Sequence, residues 1–240
     1  MPTLSNILTD AVVKLLFRPV TITDVEAVGD DFRLLSVQGP GLRGVKNTPG
    51  QTVQIYVGNL TKRAYTPMDL DPNAGSARFL FYLHGKGPAS VWAASERVGD
   101  SCQVMRPKDS IDFEAFKGPT LFFGDETSLA SAQALERSRG QAHAPRYVFE
   151  VSSPAQADLI LQRFRVSQVS LVRKHEDGSH LANVVSQMAE QAGRMQSPQW
   201  IFTGQARSIQ RVQQGLKQAG ISLAGSKVKA YWSPGKNGLD

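Results

Sequence analysis

Thr120-Leu121-Phe122-Phe123-Gly124-Asp125-Glu126-Thr127-Ser128-Leu129 decides the architecture of this chain. The apolar run 120–123 has the length of a buried strand and stops at Gly124. Asp125 or Thr127 then caps a helix whose buried face is Leu129, Ala132 and Leu135, and acids suit its first turn. Working outward, apolar runs recur at 147–151, 169–172 and 200–203. The last is followed by a helical stretch, 205–218, with Ile209, Val212 and Leu216 as its stripe and Gly220 as its stop. Strands alternating with helices imply crossover units and a parallel sheet.

Upstream the rhythm differs. Short strands are expected at 20–25, 32–38, 51–57, 62–66, 78–84 and 101–105. Val53, Ile55 and Val57 alternate with Thr52, Gln54 and Tyr56, the two-residue period of a strand with one buried face. Gly39-Pro40-Gly41 and Asp71-Pro72-Asn73-Ala74-Gly75 read as turns. This spacing suggests an antiparallel barrel. A boundary near Gly118-Pro119 divides the chain into 1–117 and 118–240, with no internal repeat or low-complexity segment.

The 240 residues, 41% hydrophobic and 20% charged, can bury a real core, which excludes a disordered or fibrous chain. The 27 Lys and Arg outnumber 21 Asp and Glu, but the cations are interleaved with acids. The pattern speaks against nucleic acid as a partner and for anionic small molecules such as nucleotides. A lone Cys102 builds no internal disulfide, four-cysteine zinc site or iron–sulfur cluster, so redox chemistry must use a bound organic cofactor. His84, His143, His175 and His180 lack zinc-ligand spacing, so no protein metal site is expected, and the last three read as surface residues. No stretch approaches the roughly 18 apolar residues of a membrane span. The first twenty residues carry an apolar patch (Ala11, Val12, Val13, Leu15, Leu16, Phe17) without a basic leader or a small-residue cleavage site. The expectation is a mature cytoplasmic protein.

Three clusters are candidates for chemistry. In Lys62-Arg63-Ala64-Tyr65-Thr66-Pro67, Arg63 and Tyr65 share a strand face and Thr66 points away where Pro67 ends the ladder. An arginine beside a flat ring suits a phosphate and a planar cofactor, though the pair equally describes a surface arginine next to a half-buried barrel tyrosine. In His84-Gly85-Lys86-Gly87-Pro88-Ala89-Ser90-Val91-Trp92, a strand runs through small residues into a helix. Pro88 fits the first helical turn, and Ser90 with the exposed N–H groups makes an anion site or an ordinary strand-to-helix turn. The third cluster is 122–128, at the carboxyl end of a parallel strand where nucleotides bind. It is not a G-x-G-x-x-G turn, and Asp125 and Glu126 repel phosphate.

Together these motifs resemble the siderophore-interacting protein family, flavin-dependent ferric-siderophore reductases among the ferredoxin-reductase-like flavoproteins. The resemblance rests on Arg63-Ala64-Tyr65-Thr66, on His84, Gly85, Gly87 to Ser90 and Trp92, and on Gly124 to Thr127. Trp200-Ile201-Phe202-Thr203-Gly204-Gln205 is similar to the family's Trp-x-x-Ala-Gly-Glu segment, and Tyr231-Trp232-Ser233-Pro234-Gly235 to its Tyr-Trp-x-x-Gly ending. It implies an N-terminal antiparallel FAD-binding β-barrel followed by a Rossmann-like parallel-sheet α/β domain. Tyr65 would pack on the isoalloxazine, Thr66 would hydrogen-bond it, and Arg63 would meet the pyrophosphate, capped by Gly87, Pro88, Ala89 and Ser90. Ala64, Tyr82, Leu83, His84 and Trp92 complete the implied FAD set. Asp125, Glu126 and Thr127 would border the nicotinamide entry, and Trp232 is a further implied cofactor contact. The chain departs from the pattern at Met68, where the family usually has a second arginine, at Gln205 in place of glutamate, and at Ser233-Pro234 in place of a basic pair.

The activity so implied passes electrons from NADH, NADPH or a ferredoxin through flavin to Fe(III), and the reduced iron leaves its oxygen ligands more easily. No side-chain acid–base pair is required, so no catalytic side chain is assigned. Lys229 and Lys236 are the candidate contacts for an anionic ferric siderophore, and each reads also as an ordinary solvated lysine. Two other readings stay open: a flavoprotein reducing a different acceptor, and a non-catalytic nucleotide-binding module.

Overall fold

The strand and helix rhythms of the sequence appear as two separate sheets in a computed structural model, which describes residues 17–58, 61–85, 87–139 and 144–236. The chain divides into two units between Asp109 and Ser110. His143 and Lys86 lie outside the described residues, as do Ala11, Val12, Val13, Leu15 and Leu16.

The first unit holds seven strands: β1 (Arg18–Val28), β2 (Phe32–Gln38), β3 (Val53–Tyr56), β4 (Lys62–Tyr65), β5 (Met68–Asp71), β6 (Ser76–Tyr82) and β7 (Ser101–Val104). They form one sheet in the order β4-β3-β7-β1-β2-β6-β5. Every pairing is antiparallel. Its two edge strands, β4 and β5, are joined by only Thr66 and Pro67, so the sheet must curl until those edges meet there. Val20, Ile22, Leu35, Val37, Val53, Ile55, Phe79, Phe81 and Val104 fill the interior. Cys102 lies in this core, where burial pushes its thiol up to about 12 and removes its reactivity.

One helix, α1 (Pro88–Ser95), follows β6. The Arg33 guanidinium on β2 donates to the carbonyls of Ala94 and Glu96 at its C-terminal end. A cation there suits the negative pole of the helix and fixes where its opposite end starts.

The second unit holds β8 (Thr120–Gly124), α2 (Leu129–Arg139), β9 (Arg146–Val151), α3 (Pro154–Arg163), β10 (Val169–Arg173), α4 (His180–Gly193), β11 (Gln199–Gln205), α5 (Ala206–Gln218) and β12 (Lys227–Trp232). Its five strands are all parallel, in the order β10-β9-β8-β11-β12. The order reverses between β8 and β11, the switch point where α/β sheets bind ligands. All five residues of β8 are buried, as expected of a central strand covered on both faces. On one face Leu121, Phe123, Val148, Val172 and Trp200 pack against Leu181, Val184, Ile209, Val212 and Leu216 of α4 and α5. On the other, Phe122 lies 5.6 Å from Tyr147 and 5.9 Å from Phe149, and the Tyr147 hydroxyl donates to the Ala132 carbonyl of α2.

No helix among the described residues is long and apolar enough to cross a membrane. Trp200 is only 2% exposed and stacks 6.1 Å from Phe202. Trp200→Ala is expected to remove about 3–5 kcal/mol of stability, read as a lower midpoint in urea unfolding; a loss below 1 kcal/mol would contradict this packing.

Candidate functional site

Within the first unit aromatic rings link the strand carrying Arg63 and Tyr65 to the helix of the 84–92 cluster. In the β3–β4 ladder Arg63 pairs with Ile55 and Tyr65 with Val53, both core residues, so the two side chains share the inward face. The Tyr65 ring lies 4.3 Å from Phe81, which lies 5.5 Å from Trp92 on α1. This chain of three rings ties β4 to the helix that follows the turn. Burial drives the Tyr65 phenol well above its ordinary value, with Arg63 opposing, so the ring stays uncharged at neutral pH. Thr66 is buried, Ala64 is half-buried, and Arg63 keeps one guanidinium nitrogen on the Lys62 carbonyl at 2.8 Å.

Gly87 is the N-cap of α1 and gives its first turn no side-chain acceptor. The N–H groups of that turn are therefore left without a side-chain cap, beside Pro88 and the buried Ala89 and Ser90. Ser90 Oγ instead accepts the Gly85 N–H at 3.0 Å, which folds the turn over. A Cβ on Gly87 would meet the His84 ring at 3.0 Å, so a glycine leaves the turn open to close approach by a ligand. His84 is exposed, its ring tilted against Tyr82 at 5.8 Å; Leu83 packs against the core. An uncapped helix start, small residues, an arginine and a neutral phenol fit a pyrophosphate joined to a flat ring system.

The second unit builds a different arrangement at the carboxyl ends of its strands. The Asp125 carboxylate, 1% exposed, accepts from Thr127 N–H (2.9 Å), Thr127 Oγ1 (2.5 Å) and Trp232 Nε1 (2.7 Å). Ser128 completes a capping box with it. A Cβ on Gly124 would lie 2.5 Å from that of Ser128, so the turn closes only over a glycine. Gly204, at φ +98°, presents bare backbone to the Asp125 carboxylate, 2.7 Å from where a Cβ would sit. Glu126, equally buried, accepts from Ser152 N–H (2.6 Å) and from Lys174 Nζ (2.5 Å), and Lys174 lies 5.9 Å from the Trp232 ring.

Several of these residues were not among the sequence-based candidates. Lys174 and Glu150 are central to the network, and His180, expected at the surface, is 7% exposed. His180 Nδ1 accepts the His175 N–H at 3.0 Å, so Nε2 carries the proton and donates to Glu150 Oε2 at 2.7 Å. The loop after β10 folds back to form this bond, a tertiary effect that histidine spacing does not reveal. His175 is exposed. Glu150 interrupts the otherwise apolar Tyr147-Val148-Phe149-Glu150-Val151, and that interruption was the available signal. Burial raises the carboxyls of Asp125 and Glu150; Lys174 lowers both. Burial works against the Lys174 ammonium, but Asp125, Glu126 and Glu150 outweigh it and its pKa rises. Lys229 is half-buried on β12, in register with Thr203, and Lys236 is exposed in the segment after it. Contacts thus join Tyr65 to Trp92 in the first unit and Asp125 to Thr127 and Trp232 in the second, and among the described residues no hydrogen bond or ion pair joins Lys229 or Lys236 to the Asp125 group.

Comparison with known proteins gives a consistent result. Residues 3–111 match the family described as the siderophore-interacting FAD-binding domain, and residues 119–235 the one described as siderophore-interacting protein. The siderophore-interacting protein SipS from Aeromonas hydrophila superposes with a TM-score of 0.71 at 18% identity, over 92% of this chain and 93% of that one. A siderophore-interacting protein from Acinetobacter baumannii gives 0.70 at 16%, over 90% of both chains. Phthalate dioxygenase reductase, described as a modular structure for electron transfer from pyridine nucleotides to a [2Fe–2S] centre, gives 0.67 at 14%, over 92% of this chain and 70% of that one. At these identities the likeness is one of fold.

The raised carboxyls have a consequence for stability. Because burial raises them, Asp125 and Glu150 release their protons at higher pH in the fold than in the unfolded chain, so their contribution is largest at low pH and falls as pH rises through the raised values. Glu150→Gln removes the Glu150 share while keeping an acceptor for His180. Urea unfolding between about pH 4 and pH 7 is expected to show a shallower decline in the variant than in the parent; an unchanged slope would contradict the burial effect.

Proposed function

Because the chain belongs to the siderophore-interacting protein family, we propose that it is a cytoplasmic FAD-dependent oxidoreductase carrying electrons from a reduced nicotinamide to the iron of a ferric siderophore. The observation that carries this reading is the Tyr65–Phe81–Trp92 ring chain, which joins the arginine-bearing strand to the uncapped helix start. Bound FAD supplies the conversion between a two-electron donor and a one-electron acceptor.

The chain's own residues bind and orient. Arg63 offers its guanidinium, and the first-turn N–H groups with Ser90 offer neutral donors, to the diphosphate. Tyr65 offers an uncharged ring face, and its packing on Phe81 fixes the plane of that face. Thr66, Tyr82, His84 and Trp92 frame the same region. In the second unit, the Asp125 and Glu126 carboxylates are engaged in holding their own loop, so they act as positioning residues that set Thr127 and Trp232 on the nicotinamide side. Lys229 and Lys236 supply positive charge for an anionic chelate. Reduction of the substrate's iron weakens its bonds to hard oxygen ligands, which releases the metal.

The test has two parts. Arg63→Ala is expected to weaken FAD binding about tenfold or more with the circular dichroism unchanged. Anaerobic mixing of the reduced holoprotein with a ferric siderophore is expected to accelerate flavin reoxidation with ferrous iron appearing. A protein that takes up no flavin is a nucleotide-binding module instead, and reoxidation indifferent to ferric chelates means a different acceptor.

A further inference from the structure

In open parallel sheets that bind dinucleotides, the end of the second strand in the crossover series faces the adenosine ribose. An acid there hydrogen-bonds a free 2′-hydroxyl, and an arginine nearby accommodates a 2′-phosphate. The series here runs β8, β9, β10, so the strand in question is β9.

Its one acid is Glu150, and strand alternation turns that residue away. Glu150 stands in register with Val172, on the face covered by α4, and is 1% exposed against His180. Past the end of β9 the chain reads Ser152-Ser153 and enters α3, whose first turn carries no acid. Ser152 is exposed, and its N–H is spent on Glu126; Ser153 caps Gln156 N–H at 3.4 Å.

The neighbouring strand brings a cation to the same place. Arg173 stands in register with Val151, and the next N–H, that of Lys174, donates to the Val151 carbonyl at 2.8 Å. Register partners in a parallel pair share a face, so Arg173 lies on the α3 side, opposite to Glu150. It is exposed and, among the described residues, its side chain forms no hydrogen bond or ion pair. The other charges nearby are accounted for: Lys174 is held by Glu126, and Asp177 accepts from Ser179 N–H at 2.9 Å. Glu176, exposed in the loop after β10, is the remaining acid that a phosphate would have to avoid.

We propose that Ser152, Ser153 and Arg173 form the subsite for the adenosine ribose of the reduced nicotinamide and select its 2′-phosphorylated form. The proposal rests on the reading of the second unit as the nicotinamide side. The hydroxyls and the fork of Arg173 are donors for phosphate oxygens, whereas no carboxylate is turned outward on this strand end to accept from a ribose diol.

Equilibrium titration of the FAD-loaded full chain with adenosine 2′,5′-bisphosphate and with adenosine 5′-monophosphate tests this without turnover. The bisphosphate is expected to bind about tenfold tighter or more in low salt. Arg173→Ala is expected to abolish that advantage and leave the monophosphate unchanged, and Arg173→Lys to restore part of it. Ser152→Asp is expected to shift preference toward the monophosphate. Equal binding of the two nucleotides, or an advantage that survives Arg173→Ala, overturns the proposal. Chemically reduced holoprotein mixed with a ferric siderophore tests the wider reading separately, because that measurement involves no nicotinamide.

Discussion

The buried carboxylate of Asp125 ties three of the five parallel strands together. It sits at the end of β8, accepts from the indole at the end of β12 and lies against the bare backbone of Gly204 in β11. A charge moved out of water is costly unless several donors meet it, and here three do, with the Lys174 ammonium of the β10 end close enough to favour the ionised form. The absence of a side chain at Gly204 and the tight approach of Ser128 to Gly124 follow from the same need for space. Removing any one of these partners would leave the carboxylate less well satisfied, so the shape of the whole strand-end surface depends on it.

The two units solve their local problems by opposite means. The barrel positions its candidate residues with apolar contacts: Val53 and Ile55 opposite Tyr65 and Arg63, then Phe81 and Trp92 behind the Tyr65 ring. Its helix is anchored at the far end by Arg33, and among the described residues its near end has no side-chain cap. The α/β unit positions its residues with charges and hydrogen bonds, and its helix start is filled by Asp125 and Ser128. An anion therefore meets N–H donors without a side-chain cap at the turn after β6 and a carboxylate at the turn after β8. At the strand-end loop the Asp125 carboxylate instead holds Thr127 and Trp232.

Fold class was legible because burial and periodicity act locally. The run 120–124 and the alternation of 53, 55 and 57 correspond directly to a fully buried strand and an inward face. Other elements were hidden by composition. β5 reads Met68-Asp69-Leu70-Asp71, where two acids mask a short strand whose Met68 is 1% exposed. β12 begins Lys227-Val228-Lys229, and α4 starts without a side-chain cap. Of the candidate site, the local motifs around Tyr65, Gly87 and Asp125 were readable. The network of Glu126, Glu150, Lys174 and His180 was not, because its members lie on four different segments and only strand order brings them together. Arg173 was equally silent, since its meaning depends on which face Glu150 takes.

The departure at Gln205 becomes intelligible in the same electrostatic terms. Among the described residues, Asp125, Glu126 and Glu150 already share the one ammonium of Lys174, and burial raises two of the three. Gln205 follows the glycine that touches Asp125, and its Oε1 lies 2.9 Å from the Ser208 hydroxyl, which also sits beside Glu150. A glutamate there would add a fourth negative charge to a site that one lysine must balance. Glutamine keeps the acceptor for Ser208 at the start of α5 and adds no charge. The departure at Gln205 is thus the neutral solution for a strand-end surface whose carboxylates engage Trp232, Ser152 and His180.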